Sequence, residues 1–578
     1  MANRRTFPTR GVLRRPPIRA ADLVVGAGIL ALIYLGVRLG RSSNVAFLPS
    51  RASARISTAP SQLPYYAARS LFRMFIALGL SVVFTFMYGT AAARLRRAEK
   101  VLIPMLDIFQ SVPILGFLSV TVTAFIALFP GSSLGLEAAS IFAIFTSQAW
   151  NMTFSFYHSL ITQPQDLDEA ARVYRLTKWQ RFWRLDVPSS MIGLVWNGMM
   201  SFGGGWFFLA ASESISVLNH RYALPGIGSY VAAAIEQAAL GKIALAIVVM
   251  VLMVIGVNVL FWRPLVAWAE RFRMEESEAA ERPRSVVLEM LRRSQIPGVI
   301  ARALRPGGRL LERITRPFGL AEHPLNPDST RRRAGDVAFW IVVSGAVAWG
   351  ARQGIVYLHR TVGYEEIPHV LLLGLATFGR VVVLVVFSTI IWVPVGVWIG
   401  LDPRTARFAQ PIVQVLASFP ANFLFPFATL VFLKIGLSLN IGGILLMALG
   451  AQWYILFNAI AGAISIPSDL REAMDNFGVS RSLRWRKLIL PAIFPAYVTG
   501  GITAAGGAWN ASIVAEVVDY GRHHLVATGL GAYIAQATTR GDFPRILAGI
   551  AAMSFYVVVL NRLLWRRLYR LAETRFSL

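Results

Sequence analysis

The chain has 578 residues, 55% hydrophobic and 15% charged, with a mean hydropathy of +0.55; soluble proteins carry about 25% charged residues, so a soluble globular fold is excluded. No cysteine is present, which removes disulfides, thiolate metal sites, Fe–S clusters and thiol nucleophiles together. The 57 Lys+Arg against 30 Asp+Glu give +27, a balance that in an apolar chain reflects arginines holding loops on the cytoplasmic side rather than a nucleic-acid partner.

One bilayer crossing takes roughly 20 apolar residues, and the apolar stretches predict about 12 transmembrane helices in an all-α integral membrane fold. After the start MANRRTFPTRGVLRRPP, the first apolar run (23–40) is followed by no small-residue cleavage site. It is expected to stay as the first span. Five more follow at 73–93, 102–129, 138–162, 191–212 and 243–262. A second set lies at 336–351, 370–400, 411–433, 440–464, 493–515 and 544–563. The longest exceed a straight crossing and are expected to tilt or include interfacial turns, whereas 336–351 is short. With the N-terminus inside, inner segments 1–22, 94–100 and 163–190 hold 15 Lys/Arg, and outer segments 41–72, 130–137 and 213–242 hold 6. The positive-inside rule then places both termini in the cytoplasm.

Several residues within these spans stand out. Arg73 and Arg380 sit at the outer ends of the second span of each set, Glu213 and Glu516 at the outer ends of the fifth. At an effective dielectric of 20, an unpaired carboxylate about 4 Å from an anionic cargo would repel it by roughly 4 kcal/mol. The pairs Arg73–Glu213 and Arg380–Glu516 are therefore expected within their own halves, as structural or gate charges. Ser111 with Pro113, and Ser418 with Pro420, interrupt the third spans. A proline frees a backbone carbonyl, which a membrane tolerates beside a cavity or a compensating neighbour. These four, with Trp206 and Trp509, are candidates for the translocation path, a plain helix kink being the alternative. Asp107 has the neutral counterpart Gln414, so a site built there would be asymmetric. The clusters His220–Arg221 and Arg522–His523–His524 fall on expected outer loops.

Residues 263–335 hold 15 Arg and 9 acidic residues between Pro and Gly, a basic cytoplasmic linker. In RSVVLEMLRRSQ (284–295), Val286, Val287, Met290 and Leu291 share one helical face. That face suits anionic lipid headgroups or, equally, a solvated connector helix.

The chain also repeats itself. At an offset of 303, Trp150 matches Trp453, Pro164 matches Pro467, Glu169 matches Glu472, Trp206 matches Trp509, and Glu213 matches Glu516. Upstream the offset is 307, with Arg73 on Arg380, Pro104 on Pro411, and Ser111/Pro113 on Ser418/Pro420. The four-residue difference is assigned to the outer loop near 130–137. Each repeat has an even number of spans, so the halves should be parallel and related by a pseudo-two-fold along the membrane normal, with the substrate path between them.

Between the fourth and fifth spans of each half, EAARVYRLTKWQRFWRLDVP (169–188) matches EAMDNFGVSRSLRWRKLILP (472–491). Each begins with an acidic–small pair and ends at a proline suited to a helix start. Two register-locked charged segments, with Ala170, Ala171 and Ala473 allowing close approach, imply a docking partner. Here the chain resembles the permease subunits of type I ABC importers, whose signature is E-A-A, three residues, G, nine residues, I-x-L-P. The second copy matches at Glu472, Ala473, Gly478, Leu488, Leu490 and Pro491; the first at Glu169, Ala170, Ala171, Leu185 and Pro188, with Arg175 in the glycine position. AGGAWNASIVAEVV (505–518) followed by GLGAYI (529–534) is similar to the nitrate/sulfonate/taurine/bicarbonate group.

The resemblance implies a fused permease in a bacterial-type cytoplasmic (inner) membrane, with an N-terminal segment, first span and outer loop over 1–60 and permease repeat 1 over 61–272. The basic linker would cover 273–335, the seventh span and its loop 336–367, and permease repeat 2 would cover 368–578. It implies two ATPase subunits docked on the two motifs, an extracytoplasmic solute-binding protein and a small, anionic cargo. A phosphate-cradling loop needs G-x-x-x-x-G-K-[ST]. Of the five lysines only Lys242 follows a glycine, and Ile243 comes next, so ATP would be bound by the partners. No HExxH or paired-carboxylate constellation points to an enzyme, and no cofactor or metal is expected in this chain. The competing expectation is an ion-coupled secondary transporter with two six-span halves, which would need carboxylates or histidines deep in the spans.

Overall fold

A computed structural model describes residues 19–43, 56–217, 220–272, 285–315 and 329–575. The first half runs α1 (Ala20–Ser42), α2 (Leu63–Arg94), α3 (Arg96–Ser111), α4 (Ile114–Leu128), α5 (Leu134–Ile161), α6 (Gln165–Val173), α7 (Lys178–Arg181) and α8 (Val187–Ser212). A hairpin follows, β1 (Ser214–Val217) with β2 (His220–Ala223), and then α9 (Ile227–Glu236), α10 (Leu240–Val257) and α11 (Arg263–Ala269). The linker contributes α12 (Val286–Arg293) and α13 (Ile296–Thr315). The second half runs α14 (Ser329–Thr361), α15 (Glu366–Leu401), α16 (Pro403–Ser418), α17 (Phe425–Ile435), α18 (Leu439–Ile464), α19 (Ser468–Asn476), α20 (Arg481–Arg484) and α21 (Leu490–Ala515). It ends with the hairpin β3 (Val517–Tyr520) and β4 (His523–Val526), then α22 (Leu530–Arg540), α23 (Phe543–Leu560) and α24 (Arg566–Arg575).

Element for element, α2–α11 repeat as α15–α24. Even the irregularities repeat: single π-helical turns join α7 to α8 (Phe182–Asp186) and α20 to α21 (Trp485–Ile489), and others lie at Asn258–Trp262 and Asn561–Trp565. The connection after α17 (436–438) is shorter than that after α4 (129–133), which places part of the offset change where an outer loop was expected.

Among the described residues eight helices are long and apolar enough to cross a membrane, and ten if each of two bent pairs is one crossing; twelve is not reached. The third spans are not continuous. Arg97–Gln110 and Ile114–Leu128 meet at 100°, and Arg404–Ser418 and Ala421–Ile435 at 82°, with Pro113 and Pro420 in the breaks. Absent from the eight are α5 and α8, although their counterparts α18 and α21 qualify. Both are long (28 and 26 residues), but α5 buries Glu137, Ser140, Thr146, Gln148 and Thr153 inside the bundle. A helix surrounded by protein tolerates polar groups that lipid would not. The expected short span at 336–351 continues to Thr361 and is exposed along its apolar length. The expected outer loops after α8 and α21 are instead antiparallel hairpins.

The halves clasp each other reciprocally. β1 packs on α22 while β3 packs on α9, and α16 packs on α8 while α4 packs on α21. Across the halves Gly521 N donates to Ile235 O at 3.3 Å, and Tyr520 Oη to Ala238 O at 3.4 Å. Such paired contacts are those of a pseudo-two-fold between like-facing bundles.

Candidate coupling and translocation sites

The innermost charges form one network per half. In the first, Arg73 Nη1 donates to Glu213 Oε1 at 2.6 Å and to Pro225 O at 3.0 Å. Ser70 Oγ and Gly228 N donate to the same carboxylate at 2.6 and 2.7 Å. In the second, Arg380 donates to Glu516 Oε1 at 2.7 Å and to Thr528 O at 2.8 Å, while Thr377 Oγ1 and Ala532 N complete the carboxylate at 2.8 and 3.1 Å. Both expected ion pairs are thus present, inside their own halves, with both glutamates fully buried. A Cβ on Gly226 or Gly529 would overlap the Glu213 or Glu516 carboxylate, so these glycines let the backbone close over the charge.

Sequence reading missed the rest of the first network. Glu137, assigned to an outer loop, lies in the first turn of α5 and accepts from Arg73 at 2.6 and 2.8 Å and from Arg69. Arg69 also holds α1 through Leu39 O at 3.0 Å and Ser43 Oγ at 2.9 Å. At the matching positions of the second half stand Ala376 and Asn440. There Arg380 reaches Asn440 Oδ1 at 2.8 Å and Asn440 O at 3.0 Å. One positive and one negative charge were exchanged together, so the buried network of each half stays neutral.

The broken third spans face the opposite half. Ile114 N, freed by the break at Pro113, donates to Asn510 Oδ1 of α21 at 2.8 Å. Ser418, the last residue of α16, lies against Gly203 of α8 so closely that a Cβ there would meet its Oγ at 2.6 Å. Cavities of about 20 and 30 Å³ beside this crossing, bordered by Met199, Gln414 and Ser418, have room for water but not for a solute. The side chains of Ser111 and Asp107 lie outside the described residues. Trp206 and Trp509 are buried: Trp206 stands edge-on to Phe202, with centroids 5.6 Å apart, and Trp509 forms a cluster of three rings with Phe378 and Tyr556, each pair of centroids 6.0–6.4 Å apart. Trp206 also borders the smaller of the two cavities, with Gln414, Val415 and Ser418 of the other half.

At one end of each bundle project the EAA segments. In α6, Glu169 is exposed and Ala171 buried; in α19, Glu472 is exposed and Ala473 half-buried. Both helices end in the same reciprocal cap. Leu176 N and Arg175 N bond Ala171 O and Arg172 O at 3.0 and 2.9 Å, and Val479 N and Gly478 N bond Met474 O and Asp475 O at 3.0 Å each. That cap needs a left-handed residue, and Gly478 supplies it at φ 62°. Arg175 adopts φ 47° and makes the same turn. Glycine is therefore dispensable for the geometry, but Arg175 makes the turn under strain. A side chain at positive φ costs roughly 1–2 kcal/mol, so Arg175→Gly is expected to raise the thermal unfolding midpoint by the equivalent of about 1 kcal/mol. A lowered midpoint would show that the arginine is held by contacts stronger than its strain.

Beside each cap one aromatic ring is thrust outward: Tyr174 is 78% exposed and its counterpart Phe477 is 84% exposed. Burial of Asp168 would raise its pKa, but the Arg181 and Arg172 guanidiniums overcome this and hold it below the ordinary carboxylate range. Leu185 and Pro188, like Leu488, Leu490 and Pro491, lie in the turn that leads into the long helix behind.

Two like-built bundles that cap each other's broken spans, each carrying an exposed elbow at one end, define a duplicated membrane transport subunit. The model of the family described as binding-protein-dependent transport system inner membrane component matches twice, at residues 82–263 and 392–577. The chain belongs to this family and is a fused, two-domain type I ABC permease.

Among curated proteins, it is 24% identical over 226 residues to the glycine betaine/proline betaine transport system permease protein ProW of Escherichia coli (strain K12), covering 39% of this chain and 60% of that one. It is 27% identical over 188 residues to the nitrate import permease protein NrtB of Leptolyngbya laminosa (32% and 64%). It is 28% identical over 199 residues to the taurine transport system permease protein TauC of E. coli (33% and 68%). The match thus spans about 60% of the first of these relatives. Among the described residues, no group of three His, Asp or Glu is placed to hold a metal.

Proposed function

We propose that this permease forms the translocation path of an ATP-driven importer. Residues 61–272 and 368–578 act as its two halves, and 1–60, 273–335 and 336–367 as the N-terminal segment, linker and added span. The observation that carries this is the pair of elbows: the same cap, the same exposed glutamate and the same outward aromatic ring, in register in both halves. Two ATPase subunits dock on them from the cytoplasm, where both termini lie. A solute-binding protein delivers cargo at the opposite, hairpin-bearing face of the inner membrane. Closure of the ATPase pair draws α6 and α19 together, and the α8–α16 and α4–α21 crossings separate to open the path. Ser418, Pro420 and Pro113 then border it, and Ser111 is assigned there by repeat.

The cargo is proposed to be a small anion, following the nitrate and taurine relatives. Neutral charge networks in both halves set no barrier against an anion. A gradient-driven carrier is disfavoured because the buried carboxylates Glu137, Glu213 and Glu516 are all held by arginines, leaving them little freedom to load and release protons.

The test is co-expression with candidate ATPase and binding-protein subunits. The expected result is a stable complex whose uptake into proteoliposomes requires internal ATP and external binding protein. Uptake driven by a proton or sodium gradient without ATPase would overturn the proposal.

A further inference from the structure

We infer that α12 and α13 form an amphipathic strap that lies on the anionic headgroups of the inner leaflet and is latched to the first coupling elbow. The strap goes beyond the importer reading and uses only its orientation. At 1.5 Å per residue, the 20 residues of α13 extend about 30 Å. Val299, Ile300, Leu304, Leu310, Leu311 and Ile314 follow one side of it, and all six are exposed. Arg302, Arg305, Arg309 and Arg313 follow the other side. Among the described residues none of Arg305, Arg309 and Arg313 is in an ion pair.

Helical sequence chemistry argues against a free connector. Pro306, Gly307 and Gly308 sit mid-helix, and proline and glycine are the two residue types least favourable there. A helix with that centre and a bare apolar stripe needs a surface to lie on. Removing these six apolar side chains from water supplies that stabilisation.

Position identifies that surface as lipid. The junction of α12 and α13 sits at the start of the membrane span α1. Asp22 of α1 accepts from Ser294 Oγ at 2.8 Å and Gln295 N at 2.6 Å, Arg19 Nη1 donates to Arg293 O at 3.2 Å, and Ile296 abuts Gly26. In the proposed orientation this is the inner interface. At its far end Glu312 accepts a hydrogen bond from Gln180 of α7, beside the packed rings of Trp179, Phe182 and Trp183, and tryptophan is a residue type that gathers at membrane interfaces. An arginine row beside a shallowly inserted apolar stripe is the pattern of helices that bind anionic bilayers. The latch serves the first elbow alone, since the counterpart of Gln180 is the exposed Leu483.

With no cysteine in the chain, single cysteines at Leu304, Leu310, Arg305 and Arg309 can carry spin labels. The complex with its ATPase subunits is placed in nanodiscs of phosphatidylcholine with and without phosphatidylglycerol. Labels at Leu304 and Leu310 should meet dissolved oxygen in preference to a water-soluble nickel chelate. Those at Arg305 and Arg309 should show the reverse, with the contrast rising when phosphatidylglycerol is present. Equal nickel access on both faces would make the strap a solvated connector, and apolar-face labels shielded from both reagents would make it a protein-binding surface; either overturns the inference. Gln180→Leu, copying Leu483, should loosen a label near Ile314 but not one near Val299; equal mobility at both ends would remove the latch. A label at Phe477 reached by impermeant reagent from outside would instead refute the orientation.

Discussion

Replacing Glu137 by Asn is expected to cost about 3–5 kcal/mol of stability, and adding Arg69→Ala to the same chain should restore more than half of it. The first figure is the usual penalty for stripping one partner from a buried ion pair and leaving the other charge in the protein interior. Arg69 is buried, and Glu137 is its carboxylate partner, whereas Arg73 keeps Glu213. The restoration follows because removing both partners of a buried pair is far cheaper than removing one. The second half of the molecule already carries that neutral exchange, Ala376 with Asn440, around an otherwise equivalent Arg380–Glu516 pair. What Arg69→Ala cannot restore is its hold on Leu39 and Ser43 of α1. Thermal unfolding in one detergent, with wild type, both singles and the double, closes the cycle. A double variant no more stable than Glu137→Asn would mean that the carboxylate acts through something other than the arginine.

The same comparison explains what the amino-acid sequence made legible. Arg73 and Glu213 could be paired before any coordinates because both recur in register at Arg380 and Glu516. Glu137 and Arg69 do not recur, and hydropathy assigned both to outer segments, so the network read as two residues rather than four. The signal available was an acidic residue at the threshold of an apolar run, facing an arginine one helical turn from Arg73. Pro113 and Pro420 marked where the third spans fail, but a proline permits a bend without setting its angle. The turn of about 80–100° depends on the other half, whose Asn510 and Gly203 receive the broken ends. Hairpins β1–β2 and β3–β4 were hidden for a similar reason: four-residue strands are too short for alternation to be read. In the elbows, motif spacing located both turns, yet it could not show that Arg175 would accept the backbone conformation that Gly478 takes without strain.

Glu169→Arg with Glu472→Arg is expected to abolish association with the ATPase subunits while leaving the membrane bundle folded. Both carboxylates are exposed, and surface changes of this kind usually alter stability by no more than about 0.5 kcal/mol, so loss of binding would not be loss of fold. Reversing a docking charge costs several kcal/mol at a contact. A permease gripped at two points gains avidity of about 10²–10⁴ from the second, so either single variant should already weaken the complex.

The two singles should not be equal. In α6 the i,i+4 pair is Asp168–Arg172, whereas at the same positions of α19 the order is reversed, Arg471 and Asp475. Three residues on, the helical neighbour of position 169 is Arg172, whereas that of position 472 is Asp475. A new arginine at 169 therefore adds to a like charge, and Asp168 is already held by Arg172 and Arg181, whereas one at 472 is partly neutralised. Glu169→Arg should therefore lose more ATPase subunit in quantitative co-purification than Glu472→Arg, with the difference shrinking as salt screens the exposed charges. Full retention of a stimulated ATPase in the double variant would move the docking site away from these elbows. Equal losses in the two singles would mean that the partner contacts the glutamates without sensing their neighbours.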